Sequence, residues 1–503
     1  MNPNVYDLFA TRFTSDLGRP CLETDSGQTY TFGDLDRETA RLARFFTGLG
    51  LAVGDRVAVQ VDKTPQALFV YLAVVRAGLV YLPLNTAYQR GELEYFLKDA
   101  EPRLVIGRPQ SLGLLQELTR SAGVHHLYTL DEKGTGTLID AVRDVSADFS
   151  TTLVEPDDLA AILYTSGTTG RSKGAMLTHG NLASNALTLL DYWGFTASDV
   201  LLHALPLFHI HGLFVAANLA LLSTAKMLFT SKFDARQVLT LLPRSTVFMG
   251  VPTYYTRLLA ETGLTQETTH NVRVFISGSA PLLKETFTAF RERTGQTILE
   301  RYGMSETGMN TSNPLRGERI GGTVGPALPG VSVRVVDEQN RPVPADTIGQ
   351  IQVKGPNVFK GYWRMPEKTR EEFTNDGYFN TGDMGSLGAN GYLTIVGRSK
   401  DLIITGGYNV YPKEIETLID EMPGVVESAV VGVPHPDFGE AVTAVVVRKS
   451  AANIAEADIL KRLKDEIANY KVPKRVYFFD ELPRNAMGKV QKNVLRQMIQ
   501  RDS

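Results

Sequence analysis

The amino-acid sequence predicts an α/β protein with a large N-terminal domain and a small C-terminal domain. Short apolar runs alternate with helical patterns through the first half, which predicts two mainly parallel sheets of the αβαβα type. From about Val331, short alternating strands such as Val331–Val336 and Gly349–Val353 predict a small β-rich subdomain. A separate α+β pattern follows, with helices predicted over Pro412–Asp420 and Ala457–Ala468.

The repeated strand and helix patterns are plainest near the N-terminus. We predict a helix over Asp36–Gly48, a strand over Arg56–Val61, and a helix over Pro65–Ala77 that Gly78 ends. Later runs typical of buried strands are Val200–Leu205, Val247–Val251 and Val272–Ser277. Because ligands of open α/β sheets lie at the carboxyl ends of the strands, we expect the functional site in the loops that follow these runs.

The charge balance and the single cysteine exclude several classes of protein. The 503 residues carry 52 Lys and Arg against 55 Asp and Glu, a net charge of −3, whereas a dedicated nucleic-acid binder usually shows a basic excess. Cys21 is the only cysteine, so neither an internal disulfide nor a multi-cysteine metal site can form. The N-terminus lacks the pattern of a signal peptide, and the most apolar stretch, Leu213–Phe229, is broken by polar residues. We therefore expect a cytoplasmic protein that binds neither nucleic acid nor membrane.

The strongest local motif is LYTSGTTGRSKG at Leu163–Gly174, directly after an apolar strand pattern. Its glycines let backbone N–H groups approach an anion, its hydroxyls can donate to phosphate oxygens, and Lys173 adds a positive charge. The spacing is not that of a Walker A loop. The motif predicts a phosphate-binding loop made of Thr165, Ser166, Gly167, Thr168, Thr169, Gly170 and Lys173.

This loop resembles the signature of the adenylate-forming superfamily, which includes acyl-CoA synthetases, nonribosomal peptide adenylation domains and luciferases. Further segments recur in the order seen in that superfamily: PLFHIHG (Pro206–Gly212), SGSAPL (Ser277–Leu282), ERYGMSET (Glu300–Thr307), GYFNTGD (Gly377–Asp383), GRSKDLIITGGYNVYPKEIE (Gly397–Glu416) and LPRNAMGKVQK (Leu482–Lys492). The resemblance spans nearly the whole chain. It implies that ATP activates a carboxylate as an acyl-AMP, which a thiol then attacks with loss of AMP.

The resemblance also implies a site for ATP and Mg²⁺. Glu306 matches the family's Mg²⁺ ligand, with Thr165 as a second metal ligand and catalytic residue. Thr307 resembles the donor to the α-phosphate, and Asp383 resembles the ribose ligand, with Arg398 beside the ribose or phosphate. The other nucleotide-binding residues that the resemblance implies are Gly278, Ser279, Ala280, Pro281, Glu300, Arg301, Tyr302 (stacked on adenine), Gly303, Met304 and Ser305.

Near the C-terminus, Lys489 matches the family's adenylation lysine, which would bridge the carboxylate oxygen and the α-phosphate. The family rotates its small domain between half-reactions, which implies domains 1–397 and 398–503 with a hinge near Lys400. After that rotation, Gly406 and Gly407 would border the pantetheine arm of coenzyme A. Acetylation of Lys489 would remove its charge and is expected to silence the first half-reaction.

The acid is expected to lie between PLFHIHG, VPTYYTRLL, SGSAPL and ERYGMSETGMN. His209 matches the catalytic histidine beside the acyl carbon, whereas His211 is more typical of a core histidine. Arg257 and Arg301 place two cations in this pocket, and a buried arginine needs a partner anion. A second carboxylate on the substrate would supply it, unless a protein carboxylate such as Glu300 or Glu306 does. The remaining substrate-binding residues that we predict are Ser277, Ile210 and Met309.

Longer segments narrow the resemblance. ILYTSGTTGRSKGAMLTHGNLASNALTLLDYW, ERYGMSETGMNTSNP and GPNVFKGYWRMPEKT resemble the malonyl-CoA and methylmalonyl-CoA synthetases of bacteria. That implies ligation of malonate to CoA through malonyl-AMP, in a monomer or weak homodimer. Ile210 and Met309 would border the α-carbon of the acid. Because Ile210 is bulky, the resemblance does not decide whether methylmalonate is an efficient substrate. The alternatives are a CoA ligase for another small or aromatic acid, a nonribosomal adenylation domain, and a non-catalytic AMP-binding sensor.

Overall fold

The computed structural model describes residues 2–13, 16–165, 172–406, 408–449, 452, 454–485 and 488–501. Its strands, in chain order, are β1 (Pro20–Thr24), β2 (Thr29–Thr31), β3 (Arg56–Gln60), β4 (Val80–Pro83), β5 (Leu104–Gly107), β6 (His126–Thr129), β7 (Leu159–Thr165), β8 (Lys173–Thr178), β9 (Val200–His203), β10 (Lys226–Phe229), β11 (Val247–Gly250), β12 (Val274–Ser277), β13 (Ile298–Met304), β14 (Gly308–Ser312), β15 (Ser332–Val336), β16 (Gly349–Lys354), β17 (Gly361–Tyr362), β18 (Phe379–Leu387), β19 (Leu393–Arg398), β20 (Ile403–Thr405), β21 (Tyr408–Val410), β22 (Val425–His435), β23 (Gly439–Arg448) and β24 (Arg475–Phe479).

The helices cover these sheets. They are α1 (Val5–Phe13), α2 (Phe32–Gly48), α3 (Pro65–Arg76), α4 (Arg90–Ala100), α5 (Leu112–Ser121), α6 (Thr137–Val142), α7 (His179–Tyr192), α8 (Asn218–Ser223), α9 (Ala235–Leu241), α10 (Pro252–Ala260), α11 (Gln266–Thr269), α12 (Lys284–Thr294), α13 (Pro366–Glu372), α14 (Pro412–Asp420), α15 (Glu456–Glu466) and α16 (Lys492–Arg501). A π-helix over His211–Ala217 leads directly into α8. None of the helices in the described ranges has both the length and the apolar character that crossing a membrane would need.

Four sheets confirm the predicted α/β class. The two large sheets have the strand orders β14-β13-β12-β11-β9-β10-β1-β2 and β17-β8-β7-β4-β3-β5-β6. Both are parallel except at β2, β8, β14 and β17. A small antiparallel sheet, β15-β16-β18-β19, forms the predicted β-rich part. The smaller C-terminal domain carries the sheet β21-β20-β23-β22, with β24 paired to β23.

Local signals explain where the early elements begin and end. Helix α2 begins at Phe32, four residues before the predicted Asp36, because Thr31 and Asp34 form a capping box that the prediction missed. Helix α3 begins as predicted at Pro65, where Thr64 caps it. It gives way to Gly78, whose φ of +69° is left-handed. In the adjoining sheet, Cys21 of β1 is fully buried at 0% exposure.

The parallel order brings the predicted loops together. Strands β9, β11, β12 and β13 are consecutive parallel neighbours. The loops after His203, Gly250 and Ser277 therefore all leave the carboxyl ends of the strands of the eight-stranded sheet. The predicted phosphate loop connects β7 and β8 of the other large sheet. The register of β18 and β19 sets Asp383 opposite Arg398. The fold therefore gathers the predicted site from several elements at the carboxyl ends of the two large sheets.

Candidate active site

The two predicted Mg²⁺ ligands lie side by side. Thr165 ends β7, and its Oγ1 donates to Oε1 of the buried Glu306 over 3.3 Å. The hydroxyl of Tyr362 donates to the same oxygen over 3.1 Å. Mg²⁺ prefers oxygen ligands and is usually held by one or two carboxylates together with substrate phosphates. The oxygen donors of Thr165 and Glu306 fit such an ion.

Lys173 lies close to this pair. Its Nζ is 4.1 Å from the centre of the Tyr362 ring and 3.6 Å from Oε1 of Glu372. It is thus held near the metal-ligand pair by a cation–π contact and an ion pair, from which a phosphate could draw it away. Other predicted residues of this region fall outside the described residues: Ser166, Gly167, Thr168, Thr169, Gly170 and, in the C-terminal domain, Gly407.

The predicted ribose ligand is already paired on both of its oxygens. Arg398 Nε lies 2.7 Å from Oδ1 of Asp383, and the Tyr302 hydroxyl donates to Oδ2 over 2.5 Å. Burial and the charge of Asp383 raise the pKa of Tyr302 well above its ordinary value, so the tyrosine remains a donor. The contact between Tyr302 and Asp383 joins β13 to β18 and was not anticipated from the sequence.

Lys489 reaches the cleft from the C-terminal domain. A tight turn presents it: Gly488 adopts a φ of +73°, and the Lys489 amide donates to Oδ1 of Asn485 over 3.0 Å. Lys489 keeps access to solvent, but the surrounding walls of the cleft partly desolvate its ammonium group and so lower its pKa. Arg398 and Arg301 lower that pKa further, while Asp383 and Glu306 oppose the change. The ammonium group therefore lies within electrostatic range of both the nucleotide residues and Arg301.

Arg301 is buried at 3% exposure, and its guanidinium lies flat against Gly278. A Cβ at position 278 would lie only 2.4 Å from Cζ of Arg301, so any larger residue there would force the guanidinium to move. Burial lowers the pKa of Arg301 to about 9. Among the described residues, Nε and Nη2 of Arg301 have no hydrogen-bond partner, and no ion pair joins Arg301 to Glu300 or Glu306. Its buried charge thus lacks the carboxylate partner that burial normally requires.

Within the described ranges, other buried polar atoms in the predicted acid-binding segments also lack partners. Ser277 Oγ, Glu300 Oε2 and His211 Nε2 are buried and lack partners among the described residues. The other nitrogen of His211 contacts Ser279 Oγ at 3.3 Å, and Ser279 has a φ of +74°, a strained value for a non-glycine residue. The charge of Arg301 lowers the pKa of His211, which places the two side chains in one region. His211 is fully buried, two residues after His209 in the same motif.

His209 is a neutral donor in this pocket. Its Nδ1 accepts the His211 amide over 3.2 Å, so its proton resides on Nε2. Burial lowers the pKa of His209 to about 3, and the charges of Lys489 and Arg301 act in the same direction. Nε2 can therefore donate to a carboxylate or carbonyl oxygen, whereas an imidazolium would not persist there.

The two arginines differ in burial. Arg257 lies exposed on α10 and forms no ion pair with a carboxylate in the described part of the chain. Burial raises the pKa of the neighbouring Tyr254 to about 12, and the charge of Arg257 opposes this rise only in part. The expectation of two buried cations is therefore wrong for Arg257, because α10 turns Tyr255 and Leu258 inward instead.

The remaining predicted residues lie around the hairpin of β13 and β14 and the loop after β12. Glu300 accepts the Leu282 amide over 3.0 Å, and burial raises its pKa to about 8. The buried Thr307 hydroxyl already contacts Gly308 O and accepts from Asn310. Met309 reaches Gly303, where a Cβ would lie 2.5 Å from its Cε. The other residues in these segments are Ala280, Pro281, Met304 and Ser305. The buried Ile210 lies elsewhere, directly before the π-helix that follows β9.

In the C-terminal domain, Lys400 lies exposed in the 3₁₀-helix Ser399–Asp401. Gly406 has a φ of +56°, and its amide donates to Phe438 O over 2.8 Å. An aromatic surface flanks this glycine. It consists of Tyr408 stacked on Tyr470 at 4.6 Å and His435 stacked on Phe438 at 4.7 Å. Tyr408 is 59% exposed, so a planar ligand could reach this surface.

Known proteins of similar sequence and fold match nearly the whole chain. The family of AMP-binding enzymes matches residues 9–363, and that of AMP-binding enzyme C-terminal domains matches residues 414–489. The ATP-bound MatB of Rhodopseudomonas palustris superposes with a TM-score of 0.96, 57% identity and 99% of each chain covered. A malonate–CoA ligase of Arabidopsis thaliana is 34% identical over 99% of this chain and 89% of its own. A sulfoacetate–CoA ligase of Cupriavidus necator is 36% identical over 97% of each chain.

Proposed function

We propose that this protein ligates malonate to coenzyme A. The chain belongs to the AMP-binding enzymes and is an AMP-forming acid–thiol ligase, and this proposal names its acid. ATP and malonate give malonyl-AMP and pyrophosphate, and the CoA thiol then displaces AMP to give malonyl-CoA. We place this chemistry in the cytoplasm, in a monomer or weak homodimer that has no nucleic-acid or membrane partner.

The observation that supports malonate is the unpartnered guanidinium of Arg301. A buried arginine without an anion is costly, and the distal carboxylate of malonate would pair with it. Ser277 Oγ and His211 Nε2, both buried and without partners among the described residues, are further groups for that carboxylate. A monocarboxylic acid would leave all three unpaired, which predicts strong discrimination. The sulfoacetate–CoA ligase fits the same reasoning, since sulfoacetate also carries a second anionic group.

The first half-reaction brings two anions together, so charge must be neutralised where it develops. Lys489 would contact both the reacting carboxylate and the α-phosphate, because its ammonium group is within electrostatic range of Arg301 and of the nucleotide residues. His209 would donate from Nε2 to the acyl oxygen. Thr165 and Glu306 would hold Mg²⁺, which when bound screens the phosphate charges. Asp383 would exchange its contacts with Tyr302 and Arg398 for the ribose hydroxyls.

The second half-reaction would use the other face of the C-terminal domain. We propose domains 1–397 and 398–503 with a hinge near Lys400, so that rotation withdraws Lys489 and brings in Gly406 and Gly407. The absence of side chains at these glycines leaves room for the pantetheine arm. The exposed Tyr408, stacked on the half-buried Tyr470, offers a surface on which the adenine of CoA could stack.

The space beside the substrate α-carbon decides between malonate and methylmalonate. Ile210 and Met309, which we expect to border that carbon, are both buried. Their bulk favours malonate, since an added methyl group would have to displace packed apolar atoms. We therefore propose methylmalonate as a slower substrate.

A panel of acids tests the proposal through pyrophosphate release in the presence of ATP, Mg²⁺ and CoA. We expect malonate to give the highest kcat/KM, methylmalonate a lower value, acetate a poor one and palmitate none. Malonamate, which replaces one carboxylate by an amide, is the matched control and should behave like acetate. Equal activity on acetate and malonate would contradict the role of Arg301. A higher kcat/KM for sulfoacetate would reassign the substrate while keeping that role, and a benzoate preference would support an aromatic-acid ligase.

A further inference from the structure

The two ends of the loop that presents His209, Pro206 and Gly212, pack directly against each other. Gly212 packs so tightly on Pro206 that a Cβ would lie 2.1 Å from Pro206 O. His209 lies in the middle of this loop, and its carbonyl accepts the Leu213 amide over 3.0 Å at the start of the π-helix. Long π-helices are rare and usually mark functional sites. The position of His209 therefore depends on what fixes the end of the loop at Gly212.

A buried histidine holds that end. His203 is the last residue of β9, and its Nε2 lies 2.8 Å from Gly212 O. Because a carbonyl can only accept, Nε2 of His203 must carry the proton. Neutral imidazole has one N–H, so Nδ1 of His203 must then be an acceptor. The contact with Gly212 thus requires one tautomer of His203, and a donor to Nδ1 would select it.

Lys63 supplies that donor from the other large sheet. It follows β3 and immediately precedes Thr64, which caps α3, so its backbone is fixed by the start of that helix. Its Nζ lies 2.9 Å from Nδ1 and 2.7 Å from the carbonyl oxygen of His203. The ammonium group also lies 4.3 Å from the centre of the Phe229 ring. Its nitrogen therefore faces one acceptor nitrogen, one acceptor oxygen and one aromatic ring, and two N–H groups suffice for the two acceptors on His203.

We infer that Lys63 is a positioning residue for His209: acting through His203, it fixes the carbonyl of Gly212 and the loop that presents His209 to the acid. Without Lys63, His203 can move its proton to Nδ1, and Nε2 then no longer donates to Gly212. Arginine cannot replace Lys63, since its planar fork does not match a compact site with two acceptors on one residue. The inference rests on the proposed function only for the role of His209.

Lys63→Met tests the inference, because methionine keeps the length of the side chain and loses the donors. We expect kcat for ligation to fall about 10- to 100-fold, as for a displaced catalytic group, with KM for ATP changed less than about twofold. In a His209→Ala background, Lys63→Met should lower kcat by less than about twofold, since the group that it positions is gone. Equal losses in both backgrounds would overturn the inference. Lys226→Met is the matched control, since Lys226 pairs with Glu23 away from this loop, and it should leave kcat unchanged.

A second variant and a direct readout protect the test against misfolding and against a wrong substrate. His203→Phe keeps the ring and removes both nitrogens, so it should reproduce the loss of Lys63→Met, and the double variant should be no slower than either. Ring ¹⁵N shifts of His203 in the free protein should show the proton on Nε2 and its partial transfer to Nδ1 in Lys63→Met. A proton on Nδ1 in the wild-type protein would overturn the inference. This readout needs no turnover, so a failure of the malonate proposal would be distinguishable from it.

Discussion

The nucleotide end and the acid end of the cleft satisfy their polar groups in opposite ways. At the nucleotide end, Asp383 is paired with Arg398 and Tyr302, and Glu306 with Thr165 and Tyr362. At the acid end, Arg301, Ser277 and His211 are buried with polar atoms that have no partner within the described part of the chain. Both ends belong to the same cleft and share β13, so their difference comes from side chains and not from the fold.

This difference predicts that the two substrates gain binding free energy from different sources. A nucleotide must displace protein partners of similar strength, so its binding exchanges one set of hydrogen bonds for another. A dianionic acid fills contacts that are otherwise missing, and an acid without the second anion leaves buried groups unsatisfied. We therefore expect affinity for ATP to be modestly sensitive to single substitutions, and discrimination among acids to be highly sensitive.

The largest expected effect concerns Lys489, which reaches both ends. Lys489→Gln, a mimic of acetylation, should lower malonate-dependent ATP–pyrophosphate exchange by about a thousandfold, because charge at the transferring phosphate is no longer neutralised. Transfer of the malonyl group from preformed malonyl-AMP to CoA should change less than about threefold. Lys464→Gln, on the exposed face of α15, is the matched control. Full exchange activity in Lys489→Gln would refute the role.

The acid end should respond next. Arg301→Met should lower kcat/KM for malonate about a hundredfold or more while leaving acetate nearly unchanged, since removing one partner of a buried charge pair is costly. Arg257→Met should cost less than about tenfold, because exposed charges contribute little. Initial rates over a range of each acid measure both variants. Similar losses for the two arginines would remove the distinction between a buried and an exposed cation.

The nucleotide end should respond more weakly. Tyr302→Phe removes one hydrogen bond to Asp383, but Arg398 still holds that carboxylate. We expect KM for ATP to change by less than about tenfold, with the ratio of malonate to acetate activity preserved. Tyr392→Phe, whose hydroxyl donates to Glu318 O at the surface, is the control. A loss of acid discrimination in Tyr302→Phe would show that the two ends are not separable.

The last expectation concerns stability rather than activity, and it also concerns a buried polar group at the acid end. Burial raises the pKa of Glu300 from about 4.5 to about 8, so the folded state holds this proton where the unfolded state releases it. The free energy of unfolding of the wild-type protein should therefore fall as pH rises from about 4.5 to about 8, with a limiting slope of about 1.4 kcal/mol per pH unit. Glu300→Gln, which cannot ionise, should gain in relative Tm across that window. Parallel Tm curves for the two proteins would contradict this expectation.

The sequence alone could predict the fold class and the loops of the site, because parallel strands and their following motifs are local signals. It could also have separated the two arginines: Tyr255 and Leu258 are one helical turn apart, which leaves Arg257 on the other face. Arg301 lies on a strand that is buried on both faces, so its burial does not depend on a periodicity.

Other contacts depend on how distant segments pack and leave no local signal. Tyr302 and Asp383 are 81 residues apart, and Lys63, in the segment between β3 and α3, is 140 residues from His203 at the end of β9. No pattern within either segment fixes such a pairing. The early start of α2 is different, since Thr31 and Asp34 form a capping box that a closer inspection of the sequence would have found.

The burial of the Cys21 thiol has a practical consequence for measuring domain motion by fluorescence. The side chain is 0% exposed, and burial raises its pKa to about 12, so a maleimide dye has almost no thiolate to attack. Two cysteines engineered on opposite sides of Lys400 would therefore be labelled without competition from the native thiol. The natural protein is in this sense already a clean background for single-molecule fluorescence, in which the proposed rotation between half-reactions becomes a distance followed in time.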